Sequence, residues 1–386
     1  MYDVIIIGAG PAGTCCAKKL SENGYSVMIY DRRTSVGEPK RCGEGVSEEI
    51  EHLTGKVPER CIAQKIKGAR IYAPNGKYLE AIVEQAGYVL ERKVFDKWLA
   101  EEAVRAGSKV QTNTHISDFI KEGDRFVGVK GEFFGEPFEE RAKIIICATG
   151  AKSVLRKKAL GIHSPLHSID SCLQYEMSGV DFDKNFVHVY IGNKIAPRGY
   201  CWVFPKGHDR ANVGVGVISG DKTAKEYLDS FIDSKEELKK GSIIEVNGGC
   251  VPTGHLPKNA VADGLIVCGE AANHVNPIHG GGIREAIISG QIAADVTDEA
   301  LKNNDTSIKI LSKFNEIWWE KRGNRLSRIE KLRSVVQKFS DQDFNELAVD
   351  LKPNDIIAFT KGSKFSVLAG LILKKPRLAM LAKHLL

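Results

Sequence analysis

The opening stretch "DVIIIGAGPAGTCCAKKL" admits few folds. Residues 3–7 form an unbroken apolar run, the pattern of a strand buried on both faces of a parallel sheet. Gly8, Gly10 and Gly13 follow at G-x-G-x-x-G spacing, with Ala12 among them, and open a helix. The first glycine permits a tight turn. The second lets a pyrophosphate approach the backbone, and the third lets helix and strand pack closely. The unpaired N–H groups at the helix start then face the phosphates. Asp31 ends a second apolar strand, with Arg32 next to it. A carboxylate at that point, about 20 residues beyond the turn, accepts from a ribose hydroxyl. Strand, turn, helix and acid together predict a dinucleotide site.

Two later stretches bear on whether the dinucleotide is FAD or NAD. "AKIIICATGAKSVLR" is a buried strand over residues 143–148 that ends in Thr149-Gly150. "GLIVCGEAANHVNPIHGGGIREAIISG" is another strand, then Gly269-Glu270, then a turn and a glycine-rich helix start at Gly280, Gly281 and Gly282, with Ile283 next. This second unit resembles the flavoprotein pattern in which a Gly-Asp pair touches the ribityl and phosphate part of FAD, with Glu270 in place of the aspartate. The positive end of the second helix would aim at the flavin ring and stabilise its anionic reduced form.

These pieces are similar to the para-hydroxybenzoate-hydroxylase-like flavoproteins. "YVLERKVFDKWLAEEA" matches their segment in which an arginine, here Arg92, lies near the flavin. Within that superfamily three stretches resemble the geranylgeranyl reductases, above all the archaeal digeranylgeranylglycerophospholipid reductases. "RCGEGVS" resembles their cysteine loop and supplies Arg41, Cys42 and Gly43. "KGARIYAPNGK" resembles the strand that follows. "PRGYCWVFPKGHDRANVGVG" matches a P-x-x-Y-x-W-x-F-P stretch, with Tyr200, Trp202, Phe204 and Pro205, and closes on Gly214 and Gly216. The resemblance covers roughly residues 1–320. It implies bound FAD, a geranylgeranyl-bearing phospholipid or diphosphate as substrate, and saturation of its double bonds. One departure concerns the reductant. The hydroxylases carry Asp-Gly in a motif tied to both FAD and NADPH, and this chain has Thr149-Gly150. NAD(P)H, a ferredoxin and a deazaflavin all stay open as electron donor.

Saturating an isolated alkene takes a hydride and a proton. Such an alkene is a poor electrophile, so positioning and exclusion of water must carry much of the work. Two titratable residues of the flavin loops are candidates for the proton: Cys42, whose acidity Arg41 could alter, and His279, just before the glycine turn. The other reading of Cys42 is a packing thiol or gate residue, and that of His279 a loop residue that holds the turn by a hydrogen bond. Glu44 reads as a structural acceptor. Tyr200, Trp202 and Phe204 alternate, so their rings share one face of a strand. That face is either a plain core or the wall of a pocket for a large apolar ligand, and the resemblance favours the wall.

The expected fold is α/β: a doubly wound FAD-binding domain with an inserted antiparallel-sheet substrate domain and a helical C-terminal region. The FAD domain would be discontinuous, from residues 1–60, 91–160 and 258–305. The substrate domain would take residues 61–90 and 161–257, and the helical region residues 306–386. Trp318 and Trp319 read as core anchors. The last stretch, "KFSVLAGLILKKPRLAMLAKHLL", is greasy and basic and could either touch a membrane surface or pack as a terminal helix. A net charge of +6 suits a phosphate-bearing ligand or an anionic membrane surface; no nucleic-acid partner is expected. Nine cysteines, none in a C-x-x-C pair, argue against metal clips and for a reducing compartment. With no leader and no apolar run of spanning length, the expected location is cytoplasmic, with peripheral contact at the inner face of the cell membrane. Two other functions fit this pattern: a flavin monooxygenase or halogenase of the same fold, and a non-catalytic prenyl-binding protein.

Overall fold

The computed structural model describes residues 1–352, 355 and 380. The basic C-terminal stretch, apart from Met380, lies outside the described residues, so its two readings are not separated.

Two eight-stranded sheets organise the chain. In the first, Tyr2–Ile7 lies between Val27–Tyr30 and Glu136–Cys147, parallel to both. Leu265–Val267 extends it on one side and Lys109–Gln111 on the other, again in parallel. The apolar run at the N-terminus is buried, as a strand covered on both faces must be. Helix Pro11–Glu22 packs on helix Ile283–Lys302. They approach closely because Gly290 has no side chain; a Cβ there would stand 2.1 Å from the Ala12 carbonyl oxygen.

The second sheet runs in the order Ser242–Pro252, Ile169–Ser178, Ala211–Val217, Tyr200–Pro205, Phe186–Ile191, Ile62–Tyr72, Tyr78–Leu90, Gly45–Val46. It is not purely antiparallel as expected: Phe186–Ile191 pairs parallel with Ile62–Tyr72. A parallel pair needs a long crossover, and the chain provides one by passing through the first sheet between these two strands. The short strand Gly45–Val46, directly after the cysteine loop, pairs with Tyr78–Leu90 and ties that loop to the second sheet.

The C-terminal part is helical up to helix Asp341–Asp350. Trp318 is buried in the core of the first sheet, and Trp319 is half-buried against it. Helix Asp341–Asp350 is pinned to turns of the second sheet. Asp341 accepts from the Asn193 backbone N–H at 2.6 Å, and Asn345 accepts from the Asn75 N–H at 2.9 Å.

Candidate active site

One cavity of about 1850 Å³ runs between the two sheets and the C-terminal helices. At one end stands the glycine turn. Gly8 has φ +109°, which only glycine adopts cheaply, and a Cβ there would lie 2.4 Å from the Ala148 carbonyl oxygen. Gly13 lets the helix meet the turn, since its Cβ would stand 2.0 Å from the Gly8 oxygen. Gly10 differs: it caps helix Pro11–Glu22, and a Cβ there would meet nothing within 4 Å. The space over Gly10 is open cavity in front of a helix N-terminus, a cradle for a pyrophosphate.

Asp31 and Arg32 line the same end. The Asp31 carboxylate accepts from the Ala9 N–H at 2.8 Å and holds the Arg33 guanidinium at 2.8 and 2.7 Å. Burial raises its pKa, but the Arg33 pair more than offsets this and keeps it below the usual carboxylate range. A ribose hydroxyl reaching Asp31 would therefore share it with Arg33. Further along, Gly150 and Glu270 line the cavity. Burial lifts Glu270, against the pull of Arg92 and Arg156. Gly282, which precedes helix Ile283–Lys302, leaves room for this longer acid: a Cβ there would lie 2.8 Å from Glu270 Oε1.

His279, Gly281, Gly282 and Ile283 form the middle of the cavity wall. His279 Nδ1 accepts from the Gly281 N–H at 3.1 Å, and the Tyr200 hydroxyl donates to the His279 carbonyl at 2.6 Å. Burial lowers the His279 pKa, so the ring is neutral, with its proton on Nε2. The residue holds the turn and ties it to the aromatic strand.

Opposite lies the Cys42 loop. Burial pushes the Cys42 thiol above its ordinary range, and the neighbouring Arg92 opposes the shift. Arg92 is fixed by Asp96 at 2.7 and 3.0 Å. Burial works against its charge, but Asp96 and Cys42 keep it firmly protonated. The Cys42 carbonyl accepts from Gln174 Nε2 at 3.1 Å, and Gln174 Oε1 accepts from Trp202 Nε1 at 2.9 Å. Gly43 lies tight against the same strand: a Cβ there would stand 3.0 Å from the Phe204 ring edge. Arg41 lines the lumen too and lies along Gly249.

Beneath the loop is a buried ionic cluster. Glu44 accepts from the Arg92 N–H at 2.7 Å, Asn212 Nδ2 at 2.6 Å, Lys206 at 2.8 Å and Lys40 at 3.2 Å. Glu176 pairs with both lysines and with Arg210. Burial raises Glu176, and Lys40 and Lys206 more than reverse it. Burial likewise works against the Lys206 charge, and Glu44 and Glu91 outweigh it. Glu44 is thus the structural acceptor expected of it. Lys40, Lys206, Glu176 and Gln174 were not anticipated, because a lone Lys or Glu in a sequence reads as surface.

Tyr200, Trp202 and Phe204 share one face of their strand and line the cavity, with ring centroids 5.7 and 6.3 Å apart. Gly216 lines it as well, whereas Pro205, Gly214 and Gly269 do not. Gly214 makes room for the Trp202 ring, which a Cβ would approach to 2.3 Å. Aliphatic side chains line the cavity too: Ile71, Val187 and Val189 from the second sheet, and Ile329, Leu332 and Val336 from helix Asn324–Val336. Among the described residues no group of His, Cys, Asp and Glu could hold a metal.

The open cradle at Gly10, the acid at the end of the second strand and a second helix start aimed at mid-cavity fit FAD. Comparisons with known proteins agree. Residues 2–155 match the pyridine nucleotide-disulphide oxidoreductase family, and residues 168–251 match the geranylgeranyl reductase catalytic domain. A digeranylgeranylglycerophospholipid reductase of Methanopyrus kandleri is 37% identical over 100% of this chain and 99% of its own. One from Methanosarcina acetivorans is 39% identical over 91% of this chain and 89% of its own. The crystal structure of a geranylgeranyl bacteriochlorophyll reductase-like protein from Thermoplasma acidophilum superposes with a TM-score of 0.90 at 34% identity, covering 100% and 99% of the two chains. A flavin-dependent brominase, with a TM-score of 0.77 at 17% identity, shares the fold alone. Motifs, cavity and relatives agree, and the chain belongs to the geranylgeranyl reductase family of FAD-dependent oxidoreductases.

Proposed function

We propose that the protein saturates double bonds in the geranylgeranyl chains of a glycerophospholipid. What carries this reading is that one cavity is lined by the glycine cradle, by the three aromatic rings and by aliphatic side chains of the second sheet and helix Asn324–Val336. Reduced FAD, when bound, supplies the hydride. The chain's own residues do the rest. Trp202, Tyr200 and Phe204 hold the alkene flat against the Gly280–Gly282 turn and keep water out. Cys42, whose thiol burial keeps protonated, delivers the proton to the second alkene carbon. Arg92 beside it stabilises the thiolate left behind, which regains a proton from solvent. Each saturated bond gains two hydrogens and consumes one two-electron reduction of the cofactor, provided by NAD(P)H, a ferredoxin or a deazaflavin. A lipid substrate also implies loading at a membrane surface, which the net charge of +6 suits. Among the described residues no helix is long and apolar enough to cross a membrane. The direct test reduces the holoprotein with dithionite under argon, adds the geranylgeranyl phospholipid and follows the lipid by mass spectrometry. Mass gains of two hydrogens per double bond are expected. Reoxidation by oxygen with an unchanged lipid would sink the proposal.

A further inference from the structure

The cavity has a charged corner that the reduction chemistry does not use. Arg284, Arg322 and Arg325 all line it. Arg322 is paired with Glu285, through Nε at 2.8 Å and through its second nitrogen. Arg284 reaches Glu49 at 3.2 Å through one nitrogen, while its Nε is buried with no hydrogen-bond partner. Arg325 makes no hydrogen bond or ion pair among the described residues. Burial, and the Arg322 and Arg284 charges beside it, disfavour its protonated form. Three guanidinium groups thus share two carboxylates, and the surplus charge faces the lumen.

The same helix continues as an apolar rail. Arg325, Ile329, Leu332 and Val336 are spaced four, three and four apart, so they form one stripe, and all four line the cavity. From Arg325 to Val336 the stripe runs about 16 Å at ~1.5 Å per residue. A cationic end followed by an aliphatic rail matches an amphiphile with an anionic head.

We propose that Arg325, with Arg284, binds the phosphate of the lipid headgroup and so registers the chain along helix Asn324–Val336. This rests on the phospholipid reading above. Arginine suits the role because its planar donor fork matches phosphate oxygens.

The test compares a geranylgeranyl phospholipid with the headless digeranylgeranylglycerol on FAD-loaded wild type, Arg325→Gln, Arg325→Lys and Arg284→Gln. Binding from mixed micelles to immobilised holoprotein is measured beside turnover. A charge-assisted contact predicts that Arg325→Gln weakens phospholipid binding, and raises its KM, about 10–100-fold more than for the headless lipid. Arg325→Lys should recover much of that preference, and Arg284→Gln should lose part of it. Equal losses on both lipids, or an undiminished preference, would overturn the assignment. So would loss of flavin from the glutamine variants, which would give the corner to the cofactor. Inorganic phosphate is added as a competitor; displacement of the phospholipid at millimolar concentration would make the site one for free phosphate. The binding arm reads headgroup preference even if no lipid is reduced, so failure of the proposed reaction and failure of this site give different results.

Discussion

Glu44 has a φ of 74°, unusual for a residue with a side chain. Such a conformation persists only where the surroundings over-determine it, and the donors around this carboxylate, Arg92 N–H, Asn212, Lys40 and Lys206, do so. Their effect is to present Cys42 to the lumen at a fixed height. Glu44→Gln should therefore destabilise the protein, because Lys40 and Lys206 lose one carboxylate partner; Glu176 still pairs with both, so the cost should stay below the about 3–5 kcal/mol of leaving a buried charge unpaired. Thermal unfolding measures it, and a variant as stable as wild type would mean the cluster does not hold the loop. Cys42→Ala should lower turnover about 10²–10⁴-fold, the range for loss of a general acid, with flavin content intact. Because burial raises the thiol above 9.0, wild-type turnover should stay flat through neutral pH and fall only at more alkaline pH. Wild-type turnover in Cys42→Ala would return the residue to packing. Gly10→Val should fold, since a side chain there meets nothing, and should purify colourless because it fills the cradle. The glycine turn was legible because its chemistry depends on local spacing, whereas Cys42 drew notice only through the resemblance of its loop to the family's. Lys40 and Lys206 were not legible, because their burial depends on carboxylates distant in sequence.

At the scale of elements, strand Tyr200–Pro205 both supports the sheet and lines the lumen. Trp202 is only 7% exposed and is hydrogen-bonded, yet its ring borders the cavity. Core and wall, opposed readings of the sequence, are here one surface, because the cavity is internal. Two substitutions separate the contributions. Trp202→Phe keeps a ring but leaves the buried Gln174 Oε1 without its donor, at a cost of about 1–3 kcal/mol, and frees Gln174 to drift from the Cys42 carbonyl. It should slow turnover with little change in product pattern. Trp202→Ala also opens the wall, so partially reduced products should accumulate, on top of a stability loss of about 3–5 kcal/mol. Melting temperature and product distribution on the same preparation check both. A large drop in melting temperature with an unaltered product pattern in Trp202→Ala would mean the ring serves the sheet alone. The alternation of this strand was readable from sequence, as was the βαβ start. The parallel pairing of Phe186–Ile191 with Ile62–Tyr72 was not, since residues 73–185 separate the two strands and neither carries a signal for its partner.

At the scale of the whole molecule, the first sheet and the C-terminal helices meet at His274. Its ring stacks on Trp318 with centroids 3.7 Å apart, and its Nδ1 is 2.7 Å from Ser289 Oγ. Burial lowers its pKa from 6.5 to about 3. Unfolded, the same histidine titrates near its ordinary value. Between those two values the unfolded chain binds a proton that the folded chain refuses, so stability falls as pH drops below 6.5. The slope approaches about 1.4 kcal/mol per pH unit for one such group. His188 and His279, also lowered by burial, act in the same direction. Glu176 is held below the usual carboxylate range, so its contribution is complete at these pH values and is lost only in stronger acid. Lys206 is held above its ordinary range, so its contribution is fully present here and fades only in strong alkali. The histidines therefore predict a loss of stability that begins near pH 6.5, opposed at lower pH by Glu270, which burial raises and whose protonation favours the folded state. His274→Gln replaces the ring by a side chain that does not titrate. It should lower stability at pH 7 through the lost stacking, yet flatten the fall between pH 6.5 and 4.5. Melting temperatures of the two proteins across that interval decide the matter: parallel curves would show that the proton refused by the folded state belongs to another residue.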